Sequence, residues 1–296
     1  MPRMRAVARG VRWATLALAL SAARLASADD PQDPSPPPKA GIGWRFLPDD
    51  RVFQPLIADP RWPHFSASYG SLSGASNPDI KNSGTISLGE SIPLVEYDAG
   101  PDGRFSAGLQ PAVYALFNLN GLSNRLVNAD YRIGVPLDYQ SGPFSMEAAL
   151  FHQSSHLGDA FVVEPGEEDL NLSFEAVSVT GSFDGPVRLY AGAAAMVHSV
   201  PANLKPWWML QGIEWRKRFP SISETIGPVV AVHLEEHQET AWDVDCSVRV
   251  GLEFSPDQRS RRRFQLLIEY YQGHNPNGQF FADRIRSIGV GIHIYF

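Results

Sequence analysis

A short polar run carries histidine and serine at alternate positions, with His152, Ser154 and His156 sharing one parity. Side chains two residues apart on a strand lie on the same face, about 6 to 7 Å apart at their Cα atoms, so an imidazole can reach a hydroxyl. An imidazole that takes the hydroxyl proton turns serine into a nucleophile for acyl transfer. The spacing therefore predicts His152 as a general base and Ser154 as a nucleophile, and His156 could replace either residue.

A base of this kind is oriented by a third polar group. The preferred candidate is Glu168, because it has the parity of an apolar row that is expected to face outward, formed by Leu170, Leu172 and Phe174. Asn171 and Asp159 are the alternatives, the first with the other parity and the second in a loop. The predicted catalytic group is thus His152, Ser154 and Glu168.

A strand predicted at 143 to 156 positions the histidine and serine residues. Its outward row begins with apolar residues and continues at the same parity into the polar trio; the apolar members are Phe144, Met146, Ala148 and Leu150. Imidazoles and a hydroxyl that face lipid cost free energy unless they are hydrogen-bonded or lie at the headgroup level. This placement favours a functional role, although an ordinary polar rim that binds lipid headgroups has the same pattern.

The end of the chain indicates the kind of fold. From Ile285 to Phe296, apolar residues alternate with small or polar ones and the chain stops on an aromatic residue. Period-2 patterns of this kind indicate strands. They occur near 64 to 72, 84 to 96, 104 to 117, 127 to 139, 143 to 156, 168 to 181, 186 to 198, 206 to 217, 227 to 236, 242 to 254, 262 to 272 and 285 to 296. The sequence therefore predicts an all-β fold, an antiparallel transmembrane β-barrel of about 12 strands.

The beginning of the chain has the features of a signal peptide. Arginines precede an apolar run that is too short to span a bilayer, and Ala-Ser-Ala follows at 26 to 28. These features predict residues 1–28 as a signal peptide for Sec export to the bacterial outer membrane. A Pro-rich flexible linker is predicted at 29–42, a periplasmic lead-in or plug segment at 43–63, and the barrel at 64–296.

Charge and composition restrict the partners. The formal net charge of the whole chain is −7, and loss of the five arginines within residues 1–28 lowers it to −12. Nucleic acid is therefore not expected as a partner, because it repels a chain of this charge. Outer-membrane lipids are the expected partners, and a homo-oligomer is left open. The single cysteine, Cys246, cannot form a disulfide within one chain.

Two sequence features could bind metal ions. An acidic loop contains Asp159, Glu164 and Glu167, whose oxygen ligands suit calcium. The run H-L-E-E-H at 233 to 237 matches a zinc motif that works on a helix. The residues before it predict a strand, on which its two histidines are about 13 Å apart, so no shared zinc ion is expected there.

One resemblance covers most of the mature chain, and a second covers the closing strand. The sequence is similar to a bacterial domain-of-unknown-function family, number twelve-oh-seven, through F-L-P at 46 to 48, F-x-P-L-I-A-D-P-R at 53 to 61 and S-S-H-L-G-D at 154 to 159. That family implies an outer-membrane setting and no established activity. The closing strand resembles the terminal strand of bacterial outer-membrane barrels, which implies recognition by the barrel assembly machinery.

The His-x-Ser pair also resembles the catalytic pair of outer-membrane phospholipase A, another twelve-stranded barrel, and of the lipid A deacylases. The resemblance implies catalysis on the outer wall, a lipid acyl ester as substrate, and calcium. In the phospholipase pattern Asn-Gly follows the serine, whereas Ser155 and His156 follow it here. A motif residue is therefore missing, and a second histidine is present.

Three functions remain open on the sequence. They are a serine hydrolase of outer-leaflet lipid acyl esters, a narrow pore for small solutes, and a structural or binding barrel without enzymatic activity. Inward charged residues fit either a pore lining or a network of salt bridges; they are Asp130, Arg132, Asp138, Glu147, Arg188, Asp243, Asp245, Arg249, Glu253 and Glu269.

Overall fold

The computed structural model describes residues 42–76, 80–120, 124–158, 172–217, 223, 225–255 and 262–296. The predicted signal peptide at 1–28 lies outside them, as does the predicted linker up to residue 41. The strands are β1 (Gly43–Phe46), β2 (Phe65–Ser73), β3 (Asn82–Gly89), β4 (Ile92–Asp98), β5 (Arg104–Asn118), β6 (Arg125–Ser141), β7 (Phe144–Leu157), β8 (Leu172–Phe183), β9 (Arg188–Val200), β10 (Trp207–Arg216), β11 (Ile226–His237), β12 (Val244–Phe254), β13 (Arg263–His274) and β14 (Arg284–Tyr295). No helix within the described residues is long and apolar enough to span a membrane.

The strands close into a ring. β3 and β4 pair with different parts of β5, so together they occupy one position in the wall. β1 pairs with β4 and β2 pairs with β3, so they also share one position. The other strands pair in chain order, and β14 pairs with β2. The result is a closed 12-strand antiparallel barrel, which confirms the predicted fold class.

The two faces of the wall follow the predicted alternation. On β6, Tyr131, Ile133, Val135 and Leu137 have 47 to 58% of their surface exposed, whereas Asp130, which directly precedes them on the other row, is buried. Successive side chains of a strand point to opposite faces, so an apolar row toward lipid requires a second row toward the lumen. The apolar row is the lipid-facing surface of the barrel.

Residues 47–64 leave the wall between β1 and β2 and enter the lumen; we call them the plug. Six apolar side chains of the plug are at most 5% exposed, namely Val52, Phe53, Leu56, Ile57, Ala58 and Trp62. They pack against inward side chains of the wall, among them Tyr190, Tyr295, Val229, Ala231 and Leu267. The segment that is dense in aromatic and proline residues is therefore an internal element of the barrel.

Charged side chains of the wall bind the backbone of the plug. Arg188 donates to the carbonyl oxygens of Gln54 and Pro55 at 2.9 and 2.8 Å, and Arg249 donates to that of Ile57 at 2.5 Å. A buried carbonyl without a hydrogen bond costs free energy, so these contacts stabilise an irregular backbone inside the barrel. The two arginines thus bind the plug and do not line an open channel.

The plug also contacts the seam where β2 meets β14. His64 Nε2 lies 2.8 Å from His293 Nδ1, and the ring of His64 stacks on that of Tyr295 with centroids 5.0 Å apart. Arg51 donates to the carbonyl oxygen of Phe296 at 3.0 Å. The first wall segment and the last residues of the chain are therefore joined through the plug.

We expect Phe53→Ala to lower the free energy of unfolding by about 3 to 5 kcal/mol, because it empties a closely packed site. Phe53 is 2% exposed and its ring lies 5.9 Å from that of Trp62. Urea unfolding of the refolded barrel, followed by tryptophan fluorescence, measures the change. The matched control is Phe144→Ala on the lipid face of β7, where the side chain is exposed. Equal losses in the two variants would show that the plug does not contribute to barrel stability.

Candidate functional site

An ion-paired trio crosses three neighbouring strands on the outer wall. His152 of β7 pairs in register with Glu175 of β8, and Glu175 pairs with His198 of β9. The Nδ1 atom of His152 lies 2.7 Å from Oε1 of Glu175, and Nδ1 of His198 lies 2.7 Å from Oε2. All three side chains are partly exposed on the lipid-facing side. One carboxylate therefore orients two imidazoles.

A β-bulge brings His198 to this face. The register of β8 and β9 shifts between Glu175 and Ala176, since Ala176 pairs with Met196 and Glu175 pairs with His198. The additional residue of β9 is Val197. A bulge of one residue changes the face to which the following side chain points. His198 therefore joins Glu175 outside the barrel, although Met196 lines the lumen.

Ser154 and His156 follow His152 on the outward row of β7. Ser154 lies in register between Tyr131 of β6 and Ser173 of β8. The imidazole of His156 is exposed, and its ring centroid is 5.8 Å from that of Tyr131. The neighbouring serine, Ser155, faces the lumen and is 2% exposed. Ser154 is thus the serine of this run that shares a face with both histidines.

The outward parity expected for the strand at 168 to 181 is wrong. Leu172 is buried, and the ring of Phe174 packs edge-on against Phe151 and Trp208 inside the barrel. The exposed row consists of odd-numbered residues such as Val177 and Val179. Near this end of β8 the inward row is apolar, because Leu172 and Phe174 fill the lumen, and the outward row is polar, with Ser173 and Glu175. The parity argument for Glu168 therefore fails.

The other predicted site residues lie in the part of the chain that is not described. They are the orienting candidates Glu168, Asn171 and Asp159, and the predicted calcium ligands Asp159, Glu164 and Glu167. The sequence alone did not identify Glu175 and His198 as the residues that join His152 in the ion-paired trio. Once β7 and β8 are aligned in register, Glu175 is the carboxylate opposite His152, but the sequence alone does not give that register.

A separate cavity of about 210 Å³ lies inside the barrel beside the plug. One side is aromatic, where Phe151, Phe174 and Trp208 meet with ring centroids 6.1 to 6.3 Å apart. The lining also includes titratable groups of β11, among them His233 and Glu235. The wall of the barrel separates this cavity from the outward trio.

Solved structures with similar folds are outer-membrane barrels. The outer membrane phospholipase dimer of Salmonella typhi with bound calcium has a TM-score of 0.55 and 14% identity over 80% of this chain and 93% of that chain. Outer membrane phospholipase A of Escherichia coli gives 0.54 and 12% over 78% and 96%. An active-site mutant of the E. coli protein gives 0.53 and 11% over 80% and 93%. At these identities the likeness shows the fold alone, which is that of bacterial outer-membrane barrels.

The sequence comparison gives the family. No curated protein matches the chain by sequence. Residues 40–296 match the family described as "Protein of unknown function (DUF1207)". The match begins just before β1 and includes the plug and every strand of the barrel. The chain therefore belongs to the DUF1207 family.

Proposed function

We propose that this barrel is a serine hydrolase of outer-leaflet lipid acyl esters. Ser154 is the nucleophile, His152 the general base and Glu175 the carboxylate that orients His152. The observation that carries the proposal is the 2.7 Å contact between His152 Nδ1 and Glu175 on the lipid-facing wall, two residues from a serine on the same face. Glu175 takes the role that the sequence suggested for Glu168.

The proposed chemistry follows from the tautomer of His152. When Nδ1–H donates to Glu175, Nε2 carries the free lone pair and takes the Ser154 proton. Ser154 Oγ then attacks the ester carbonyl, and the released alcohol leaves with the proton from His152. Water, deprotonated by the same imidazole, hydrolyses the acyl-enzyme and releases the fatty acid.

The surroundings of the trio suit a lipid substrate. Ile133 of β6 is the register partner of His152, and Tyr131 is that of Ser154. Both are exposed, as are Leu150 and Val177 on the neighbouring positions of the wall. An acyl chain that lies against this apolar surface brings its ester to the polar trio from within the membrane. The substrate therefore needs no route through the plugged lumen.

Covalent labelling tests the nucleophile. The refolded barrel is incubated with a fluorescent fluorophosphonate, which phosphonylates an activated serine hydroxyl. We expect one label per chain, on the peptide that contains Ser154, and no label in Ser154→Ala. The matched control is Ser173→Ala, because Ser173 lies opposite Ser154 on the same face. No labelling of the parent, or equal labelling of both variants, would contradict the proposal.

Acyl release from phospholipid and from lipid A is measured on the same preparation, with calcium and with a chelator. Calcium is kept as a variable because the acidic residues predicted to bind it, Asp159, Glu164 and Glu167, lie outside the described chain. If release falls on chelation, the ion belongs to the proposed site. If release persists, the hydrolase needs no calcium.

The alternative we keep is a non-enzymatic binding barrel. It is favoured by the division of Glu175 between His152 and His198, since two imidazoles so held can donate to the phosphates of lipid headgroups. Lipid binding without acyl release, in protein shown to be folded, would support it. Sec export through residues 1–28, recognition of β14 by the barrel assembly machinery, and self-association are further parts of our proposal.

A further inference from the structure

Three titratable side chains converge on the inner side of the barrel, apart from the outward trio. His233 and Glu235 belong to the inward row of β11, and Asp59 belongs to the plug. Their nearest ligand atoms all lie within 4.8 Å of one another. Among the described residues, this is the one group of three such side chains that is close enough to hold an ion.

The geometry of the three atoms is near that of a metal centre. Zinc binds imidazole nitrogen and carboxylate oxygen at about 2.0 to 2.2 Å, which puts two ligands of one ion roughly 3.4 Å apart. His233 Nε2 and Glu235 Oε2 are already 3.3 Å apart. A carboxylate oxygen of Asp59 lies within 4.8 Å of both of these residues' ligand atoms, and the Asp59 side chain borders the cavity.

Hydrogen bonds fix the far side of each candidate ligand. Tyr190 Oη lies 3.0 Å from Nδ1 of His233, and His237 Nε2 lies 2.7 Å from Oε1 of Glu235. The backbone N–H of Arg61 donates to Oδ1 of Asp59 at 2.7 Å. Such outer contacts orient metal ligands and are a regular feature of protein metal sites. They leave His233 Nε2 and Glu235 Oε2 facing the same space.

We propose that Asp59, His233 and Glu235 bind a late first-row divalent transition-metal ion, for which Zn²⁺ is the probe. One imidazole and two carboxylates suit such an ion better than calcium, which takes oxygen ligands. Three protein ligands leave further coordination positions open to the cavity of about 210 Å³, where water or a small anion can enter. The ion joins the plug to the wall, and the proposal is independent of the proposed hydrolase.

Metal binding is tested on the full refolded barrel after treatment with a chelator. Titration with ZnCl₂ is followed by calorimetry, and Co²⁺ is used as a spectroscopic probe because its visible absorption reports coordination by protein ligands. We expect about one Zn²⁺ per chain. Glu235→Gln should lower the association constant by at least about tenfold, since outer-shell changes alone cost 10- to 100-fold.

The matched control is Glu236→Gln, which makes the same change one residue along β11 on the opposite face. It should bind Zn²⁺ like the parent. Asp59→Asn is the second test variant, because Asp59 lies on the plug and its replacement leaves every wall strand unchanged; it also should lower affinity. Far-ultraviolet circular dichroism verifies the fold of each variant. Absence of saturable binding, or equal affinities for Glu235→Gln and Glu236→Gln, would overturn the proposal.

Discussion

Ser154→Ala is expected to lower the kcat of lipid acyl release by about 10⁴- to 10⁶-fold, the scale seen when the nucleophile of a serine hydrolase is removed. The reason is that no acyl-enzyme can form without the hydroxyl. Release of fatty acid from mixed detergent–phospholipid micelles measures it. Ser173→Ala, which removes a hydroxyl from the directly opposed position, should retain the parent rate.

Two further variants test the carboxylate that orients His152 and the second imidazole bound to it. Glu175→Gln keeps the shape of the side chain but removes its charge, so we expect a loss of about 10²- to 10⁴-fold in kcat. His198→Ala removes the imidazole on the other oxygen of Glu175 and should have a much smaller effect. If His198→Ala equals Glu175→Gln, the trio acts as a binding cluster rather than as a base and its orienting group.

Removal of the plug should convert the barrel from a form that does not conduct ions to one that does. We expect planar bilayers with the parent to show no stable conductance steps, because buried side chains of residues 51–64 occupy the lumen. β1 and β2 share one wall position, and the gap between them lies opposite residues 88–94, where β3 ends and β4 begins. A strand-forming segment of Ser and Thr that is long enough to bridge the gap between β1 and β2 can therefore replace residues 48–63.

That variant should give resolved conductance steps in bilayer recordings. A control that exchanges only the exposed Asp49 and Asp50 for Ser keeps every buried contact of the plug, and it should remain closed. Steady conductance in the parent would contradict a closed lumen and would support a passive pore for small solutes. A silent plug-less barrel of verified fold would show that other inward residues also obstruct the lumen.

The sequence predicted the wall well because one property, period-2 alternation, determines it. On β6 the apolar row from Tyr131 to Leu137 has to face lipid, since the other row carries Asp130 and Arg132. The same rule failed on β8, where Leu172 and Phe174 are as apolar as the lipid-facing residues but pack inside the barrel. Parity cannot be assigned from hydropathy at a strand end where the apolar row fills the lumen and the outward row carries Ser173 and Glu175.

The partners of the candidate site residues depend on the register of strands and on the path of the plug. The carboxylate next to His152 is Glu175, seven positions beyond the predicted Glu168, because the pairing of β7 with β8 decides it. The two histidines of the H-x-x-E-H run, His233 and His237, are too far apart on a strand to share one ion. The intervening Glu235 contacts both of them, and the third candidate ligand, Asp59, is distant in sequence.

The position of the plug has a consequence for biogenesis. The plug is an insertion within one wall position, between β1 and β2, and it contacts Phe296 and His293 at the seam. Because Arg51 and His64 of the plug contact the closing strand, we expect the plug to enter the lumen as β2 meets β14. The plug would then provide an internal surface on which the last residues of the chain dock when β14 pairs with β2.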